Sequence, residues 1–204
     1  MPKVTDEYRA ERRAQIMAAA RRCFVRNGFH ASSMQDLVAE AGMSSGALYR
    51  YFPSKEAVIE AIAADNLDQV VAVLAGAIEA GASPQAAIAE VLEFVTGRHD
   101  QDGFAAVAVL VWSEALRNPA LAAQLRGAIG TALAALSGRG TRARTPGTGG
   151  DTNAESEAAA LADVLLCVLP GYLMRLAVGG PHAVANVPGA VATVLAVSPS
   201  PRPA

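Results

Sequence analysis

An all-α fold is predicted for this chain from its composition and from the helix-terminus signals along it. Hydrophobic residues make up 52% of the 204 residues and aromatic residues only 5%, with alanine, leucine and valine prominent. This composition favours helices over a sheet built from β-branched and aromatic side chains. Serine, proline and glycine separate a series of segments in which apolar residues recur at helical spacing.

The first helix is predicted to begin near Thr5 and to end at Asn27-Gly28. Thr5 can cap the helix, and the two acidic residues after it suit the positive end of a helix dipole. Its predicted buried stripe comprises Ile16, Ala20, Cys23 and Phe24. Arginines that recur four residues apart are interpreted as solvated faces of this helix: Arg9 with Arg13, and Arg22 with Arg26.

A second helix of about two and a half turns is predicted in the segment HASSMQDLVAEAG. Ser32 with Gln35, or Ser33 with Asp36, has the capping-box spacing that satisfies free backbone N–H groups at a helix start. Gly42 supplies the left-handed position that ends such a helix. The predicted buried face comprises Met34, Leu37, Val38 and Ala41.

A third helix is predicted between Ser44, a possible cap, and Pro53, which ends it. Leu48 and Phe52 point inward. Two short helices joined by a tight glycine turn form a helix-turn-helix, whose second helix lies in the major groove of DNA. Small residues there allow close approach, while tyrosine and arginine reach bases and phosphates. The side left outside presents Ser45, Ala47, Tyr49 and Arg50.

The candidate phosphate contacts are serines at two helix starts and one lysine. Ser54 is predicted to cap a fourth helix, whose free N–H groups and positive dipole end can hold a phosphate, and Lys55 adds a full charge. Ser32 and Ser33 can do the same at the second helix. These contacts would fix affinity and register, and the third helix would discriminate sequence. The alternative is that these serines and Lys55 only cap helices.

Charge is distributed unevenly between the two parts of the chain. Residues 1–55 hold nine Lys or Arg and five Asp or Glu, a net charge of +4, whereas the remaining residues carry −6 within the total of −2. A basic front on an acidic body suits a nucleic acid held at one end. An unevenly solvated surface is the alternative.

Residues 9–62 resemble the TetR family of bacterial transcriptional regulators, through the ordered set RRAQIMAAARRCFVRNGF, SSMQDLVAEAGMS, SGALYRYF and PSKEAVIEAI. The resemblance implies a three-helix DNA-binding domain, residues 1–53, and a helical ligand-binding and dimerisation domain, residues 54–204. Tyr51 is either core or a DNA contact. The DNA contacts implied are Ser32, Ser33, Ser44, Ser45, Ala47, Tyr49, Arg50, Tyr51 and Lys55.

Two residues depart from the family pattern. Val38 stands where a small alanine is usual, which bears on how closely the two short helices pack. Ser45 stands where lysine is frequent, which removes one charge from the DNA-facing side. We therefore expect weaker binding to DNA at a given salt concentration.

Six or so helices are predicted for the body. One stripe comprises Ile88, Val91, Leu92 and Val95; a second comprises Phe104, Val107, Ala108, Val111 and Trp112; a third comprises Leu121, Leu125, Ile129, Leu133 and Leu136. The segment SGRGTRARTPGTGGDTN, about residues 137–153, has no apolar residue larger than alanine, so a flexible surface loop is predicted there.

The helix after this loop is apolar on both sides, so it needs a second partner besides its own core. The resemblance implies that the last two helices pack with their copies across a twofold axis, giving a homodimer. The alternative is burial within a monomer. The predicted interface comprises Leu161, Leu165, Val168, Leu169, Val187 and Val191.

The resemblance also implies a small-molecule effector that binds in the body and releases a palindromic operator on double-stranded DNA. Because few charges occur on the apolar stripes, a mostly apolar ligand is expected. The alternative is that the same residues only fill the core. The candidate ligand-binding residues are Phe94, Phe104, Val107, Val111, Trp112 and Tyr172.

No cofactor, metal site or catalytic site is predicted. Cys23 and Cys167 are isolated in the sequence, so we expect two buried, reduced thiols. His99, Asp100 and Asp102 are interpreted as a polar connector between helices. Only three histidines occur, with no GxSxG motif or phosphate loop beside them, which argues against an enzyme.

A cytoplasmic location is expected from the apolar segments. The start MPKVTDEYRAERR has no apolar run typical of a signal peptide. The most apolar stretch, VLLCVLPGYLM, is shorter than the roughly 20 residues of a membrane-spanning helix.

Three functions remain open at this point. A repressor released by its ligand is the one that the resemblance implies. A ligand-dependent activator is an alternative, because the sequence fixes neither the position of the operator nor the sign of regulation. A helical protein-binding module that no longer contacts DNA is another, against which Tyr49, Arg50 and Lys55 argue.

Overall fold

A computed structural model describes residues 6–136 and 152–194, and no β-strand occurs among them. The helices are α1 Asp6–Ala31, α2 Met34–Ala41, α3 Ser45–Tyr49, α4 Lys55–Glu79, α5 Pro84–Asp102, α6 Phe104–Ala115, α7 Pro119–Leu136, α8 Thr152–Gly179 and α9 Val187–Val194, with a 3-10 turn at Pro181–Ala183. The all-α prediction is confirmed. Thr5 and most of the predicted loop lie outside the described residues.

Serine caps set the starts of the helices around the predicted helix-turn-helix. At α2 the capping box uses Ser33 and Asp36: the Ser33 hydroxyl accepts from the Asp36 N–H at 3.2 Å, and the Asp36 carboxylate accepts from the Ser33 N–H at 2.8 Å. At α3 and α4 the Ser44 and Ser54 hydroxyls act as simple caps, accepting from the N–H groups of Ala47 and Ala57. Gly42 has φ 63°, the left-handed conformation that ends α2 and turns the chain into α3.

Two apolar cores lie along the molecule, and α4 contributes to both. The first joins α1–α3 to the start of α4 and also takes Val107, Val111 and Leu121 from α6 and α7. The second joins the end of α4 to α5, α6, α8 and α9. Ile62 lies in the first core and Leu74 in the second. The boundary predicted at residue 53 therefore marks the end of the helix-turn-helix but not the end of its core.

The predicted polar connector at His99, Asp100 and Asp102 is wrong, because α5 continues through Asp102. A helix on the surface needs only one apolar face, so a polar run does not end it. Gly103 alone turns the chain into α6, with φ 70°.

Two residues predicted to be buried are at the surface. Trp112 is 36% exposed, at the edge of the stripe to which it was assigned. Cys167 is exposed, whereas Cys23 is buried as predicted. Among the described residues, no three His, Cys, Asp or Glu side chains are grouped to hold a metal ion.

By length and composition alone, two helical segments could cross a membrane: α4, and Ala162–Gly179 within α8. The second is longer than the apolar stretch singled out in the sequence. Core helices of water-soluble proteins pass the same test, and both helices contribute buried residues to the cores described above. The two segments are therefore weak evidence for a membrane location.

Candidate nucleic-acid interface

The helix-turn-helix of α2, Gly42 and α3 has the inward and outward faces that the sequence predicts. Leu48 and Phe52 are 0% and 1% exposed and anchor α3 in the first core. Ser44, Ser45, Tyr49 and Arg50 are exposed, and Ala47 is half-buried. Tyr51 is half-buried and packs against the first core, while it also lines the cleft described below.

Glu40 of α2 pairs with two arginines of α1. Its carboxylate oxygens lie 2.7 Å from Arg22 Nε and 2.5 Å from an Arg26 terminal nitrogen. The hydrogen bonds from Arg26 and then Arg22 hold the pKa of Glu40 below its ordinary value. These two arginines lie on an exposed face of α1, as predicted, with side chains 54% and 57% exposed, and they also join α1 to α2 through Glu40.

Lys55 is turned into the protein. Its ammonium donates to the carbonyl oxygens of Phe29 at 2.8 Å and Ser32 at 2.9 Å. Ser32 is 2% exposed, and its hydroxyl donates to the carbonyl of Gly28 at 2.7 Å. Both side chains thus hold the turn between α1 and α2, which differs from the phosphate-binding role predicted for them. Ser33 is exposed, with its hydroxyl bonded to Asp36.

An open cleft of about 740 Å³ lies between the start of α1 and the α2–α3 turn. We call it the arginine cleft. Its walls include Arg9, Arg12 and Arg13 of α1 and Arg50 after α3, and none of the described residues that line it carries a carboxylate. Among the described residues, Arg9, Arg13 and Arg50 make no salt bridge. The lining is completed by Tyr8, Ala10, Gly42, Met43, Ser44, Ala47 and Tyr51.

The α1 side of the arginine cleft was not predicted as part of the interface. Arg13 stacks on the ring of Phe52, with its guanidinium carbon 4.4 Å from the ring centroid. Arg12 donates to the Tyr8 hydroxyl at 3.1 Å and to Gln15 at 2.7 Å. The four-residue spacing of Arg9 and Arg13 places them on one helix face, but the sequence does not show that this face lines a cleft together with the α2–α3 turn.

A buried arginine joins α1 to α4. Arg21 is 3% exposed and donates to Asn66 and Asp65, both at 2.6 Å. Burial lowers the pKa of Arg21, against the attraction of Asp102 and Asp65, which raises it. Arg98 of α5 donates to Gln69 and Asp102. A polar network therefore connects α1, α4 and α5 where the two cores meet.

The six candidate ligand-binding residues are not gathered around one cavity. Phe94 and Phe104 pack edge to face in the second core, with centroids 6.1 Å apart. Val107 and Val111 belong to the first core, and Trp112 is at the surface. Tyr172 lines a separate groove between α5, α8 and α9.

The predicted dimer residues face the chain's own second core more than a partner. Val168, Leu169 and Val187 are partly buried against it, and Val191 is 7% exposed. The side chains of Leu161 and Leu165 lie outside the described part. The opposite face of α8 is exposed at Val164, Cys167, Gly171, Met174 and Val178, spaced alternately three and four residues apart.

Comparison with known proteins connects this geometry to one family. Residues 16–62 match the profile of "Bacterial regulatory proteins, tetR family". The HTH-type transcriptional repressor Rv1474c of Mycobacterium tuberculosis is 38% identical over 73 residues, which cover 36% of this chain and 39% of that protein. The HTH-type transcriptional regulator UidR of Escherichia coli K12 is 33% identical over 114 residues, covering 56% of this chain and 57% of that protein.

A solved structure of GusR from Salmonella enterica is also similar over nearly its whole length. The two chains superpose with a TM-score of 0.66 and are 29% identical, with 95% of each covered. In contrast, this chain matches less than two thirds of the length of each of the two curated relatives.

Proposed function

Because the chain belongs to the tetR family of bacterial regulatory proteins, we propose that it is a cytoplasmic, dimeric repressor of transcription. In this proposal α3 enters the major groove of a palindromic operator, and a small molecule bound in the body releases the DNA. The sign of regulation follows the similarity to Rv1474c, which is named a repressor.

The observation that carries the proposal is the exposed face of α3 beside the arginine cleft. Four of the cations in residues 1–55 have partners within the protein. Arg22 and Arg26 pair with Glu40, Arg21 pairs with Asp65, and Lys55 donates to a backbone carbonyl. The remaining described cations of residues 1–55 are Arg9, Arg12, Arg13 and Arg50, which line the arginine cleft. Because four arginines and no carboxylate occur among the described residues that line the cleft, its field favours a polyanion.

The two sets of residues have different tasks in this proposal. Arg9, Arg13 and Arg50 neutralise phosphates beside the groove and position the protein, without reading sequence. Ser45 and Tyr49 are exposed on α3 and reach base edges, and the half-buried Ala47 allows the close approach. The N–H groups at the start of α4, capped by Ser54, can hold a further phosphate.

The exposed face of α8 supports the dimer. Val164, Met174 and Val178 are 54%, 51% and 82% exposed, and Gly171 between them permits close approach of a second helix. A three-four spacing is the pattern with which helices pack side by side in coiled coils and bundles. A twofold dimer through this face would allow two α3 helices to enter major grooves one helical turn, about 34–36 Å, apart.

A carboxylate placed on α3 tests the proposal. Ser45→Glu puts a negative charge at the first position of α3, where it suits the helix dipole and leaves the fold intact. We expect at least a tenfold loss of affinity for a pool of random DNA duplexes, followed by fluorescence anisotropy. Ser113→Glu, an exposed serine on α6, is the matched control and should bind as the unmodified protein does. Equal affinity of the two variants would contradict the proposed interface.

A further inference from the structure

The groove that contains Tyr172 lies on the surface between α5, the end of α8 and the start of α9. We call it the Tyr172 groove. Its volume is about 370 Å³, within the range of roughly 300–1,000 Å³ that is typical of small-molecule sites. Glycine, alanine and proline make up five of its eight lining residues. The lining comprises Glu93, Thr96, Gly97, Tyr172, Pro181, Ala185, Pro188 and Gly189.

The hydrogen bonds at the floor of the groove fix which atoms remain available. The Thr96 hydroxyl donates its one proton to the carbonyl of Leu92 at 2.8 Å. The Tyr172 hydroxyl lies 2.6 Å from the Thr96 oxygen, so the phenol must be the donor in that pair. The Tyr172 oxygen then keeps its lone pairs for a proton donor in the groove.

Glu93, whose side chain is exposed, lines the same groove as Tyr172. Burial raises the pKa of Tyr172, the hydrogen bond with Thr96 lowers it, and the negative charge of Glu93 raises it further. None of the described residues that line the groove is a lysine, arginine or histidine. Its described polar side chains therefore offer a negative charge and a hydrogen-bond acceptor.

We propose that the Tyr172 groove is the effector site, and that it takes a small organic molecule with an ammonium group next to an apolar body. The ammonium donates to the Glu93 carboxylate and the Tyr172 oxygen, and the apolar body lies against Pro181 and Pro188. This inference rests on the proposed function, since an effector has meaning only for a regulator. It differs from the mostly apolar ligand expected from the sequence by the charged group.

The same helix that forms one wall of the groove also contacts the DNA-binding part. Gly97 lines the groove, and the next residue, Arg98, donates to Gln69 of α4 and to Asp102. Asp102 attracts the buried Arg21 of α1. A ligand that shifts α5 would thus alter the contacts that hold α1 in position. Because α1 forms one wall of the arginine cleft, the cleft would change as well. The ligand acts by favouring one of two positions of α5.

Ligand-observed NMR titration with 2-phenylethylamine tests the site, with the neutral 2-phenylethanol as the matched probe. We expect the amine to bind more tightly than the alcohol. We also expect Glu93→Gln to weaken amine binding about threefold or more, as for a partly exposed ion pair. Tyr172→Phe should weaken it as well. Glu79→Gln, an exposed carboxylate at the end of α4, is the control and should leave amine affinity unchanged.

Two results would overturn the inference: no saturable binding of the amine at millimolar concentration, or equal affinity of the unmodified protein and Glu93→Gln for the amine.

Fluorescence anisotropy of a bound DNA duplex gives a second measurement. The amine should release DNA from the unmodified protein and, at the same concentration, release less from Glu93→Gln. DNA binding without any response to the amine would reject the effector site and leave the regulator standing. Amine binding by a protein that does not bind DNA would reject the proposed function instead.

Discussion

The ammonium of Lys55 lies 2.8 Å from the carbonyl oxygen of Phe29, 26 residues earlier in the chain. Because Lys55 is the first residue of α4 and Phe29 lies in the last turn of α1, this bond fastens α4 to the segment that leads into α2. A second bond to the carbonyl of Ser32 completes the contact. The lysine thereby ties the start of α4 to the turn between α1 and α2.

Lys55→Ala should therefore destabilise the fold as well as weaken DNA binding. A hydrogen bond from a charged donor contributes about 1.5–3 kcal/mol to stability, so we expect the free energy of unfolding to fall by about that amount. Urea denaturation measures it. Arg50 is exposed and makes no salt bridge among the described residues, so Arg50→Ala should unfold at the same urea concentration as the unmodified protein. An unchanged midpoint for Lys55→Ala would show that the lysine does not hold the turn.

The arginine cleft predicts a graded loss of DNA affinity. Arg9→Ala, Arg13→Ala and Arg50→Ala should each weaken binding and reduce the slope of log affinity against log salt by about 1, as expected for one phosphate contact. Arg126→Ala, an exposed arginine of α7, is the control. Anisotropy titrations at several salt concentrations give the slopes. If the cleft variants keep the slope of the control, the cleft does not contact phosphates.

The exposed face of α8 predicts which substitution breaks the dimer. Met174→Glu places a charge on a face that a partner would cover, so it should give monomers in sedimentation experiments. Leu116→Glu alters a side chain that is 88% exposed at the end of α6 and should remain dimeric. A dimeric Met174→Glu protein would point to another interface. Leu169 is a poorer test, because it is partly buried in the chain's own core.

The pairing of Glu40 makes the contact between α1 and α2 dependent on pH. Its folded-state pKa is lowered, so the pair stabilises the fold above the ordinary glutamate pKa of about 4.3 and loses this contribution as the pH falls through the lowered value. Arg26→Gln should raise the pKa of Glu40 more than Arg22→Gln does, because the hydrogen bond from Arg26 is the larger cause. Carboxyl NMR titration measures both. A larger rise of the Glu40 pKa in Arg22→Gln than in Arg26→Gln would contradict the assignment of Arg26 as the stronger partner.

Two glycines should respond in opposite ways to alanine. Gly103 has φ 70°, and an added Cβ would lie 2.7 Å from a Val25 methyl of α1. The left-handed conformation alone costs alanine about 1–2 kcal/mol, so Gly103→Ala should destabilise the fold. Gly76→Ala, within α4 and with no atom within 4 Å of the added Cβ, should stabilise it by about 0.5–1 kcal/mol. Thermal unfolding of the pair measures the difference, and a stabilised Gly103→Ala protein would contradict the account.

The features that the sequence predicted well are local ones. The caps at Ser44 and Ser54, the stop at Gly42 and the inward side chains of α3 depend on residues within one or two helical turns. The family resemblance predicted the fold and the DNA-binding role because its motifs are also local and lie in the first 62 residues.

The features that the sequence missed depend on contacts between distant segments. Nothing near Lys55 indicates that its ammonium would reach Phe29, and nothing near Arg21 indicates Asp65. Both sides of α8 are apolar, so periodicity did not show which side faces the core. The arginine cleft likewise exists only because α1 lies beside α3.

Selection of duplexes from random DNA by the purified protein tests the central claim most directly. The account predicts enrichment of a palindromic motif whose half-sites lie about one helical turn or a multiple apart, bound far more tightly than a scrambled duplex. Its affinity should fall steeply with salt. If no motif is enriched and the remaining binding disappears with salt, the chain is not a sequence-specific DNA-binding regulator, and a helical protein-binding module becomes the better description.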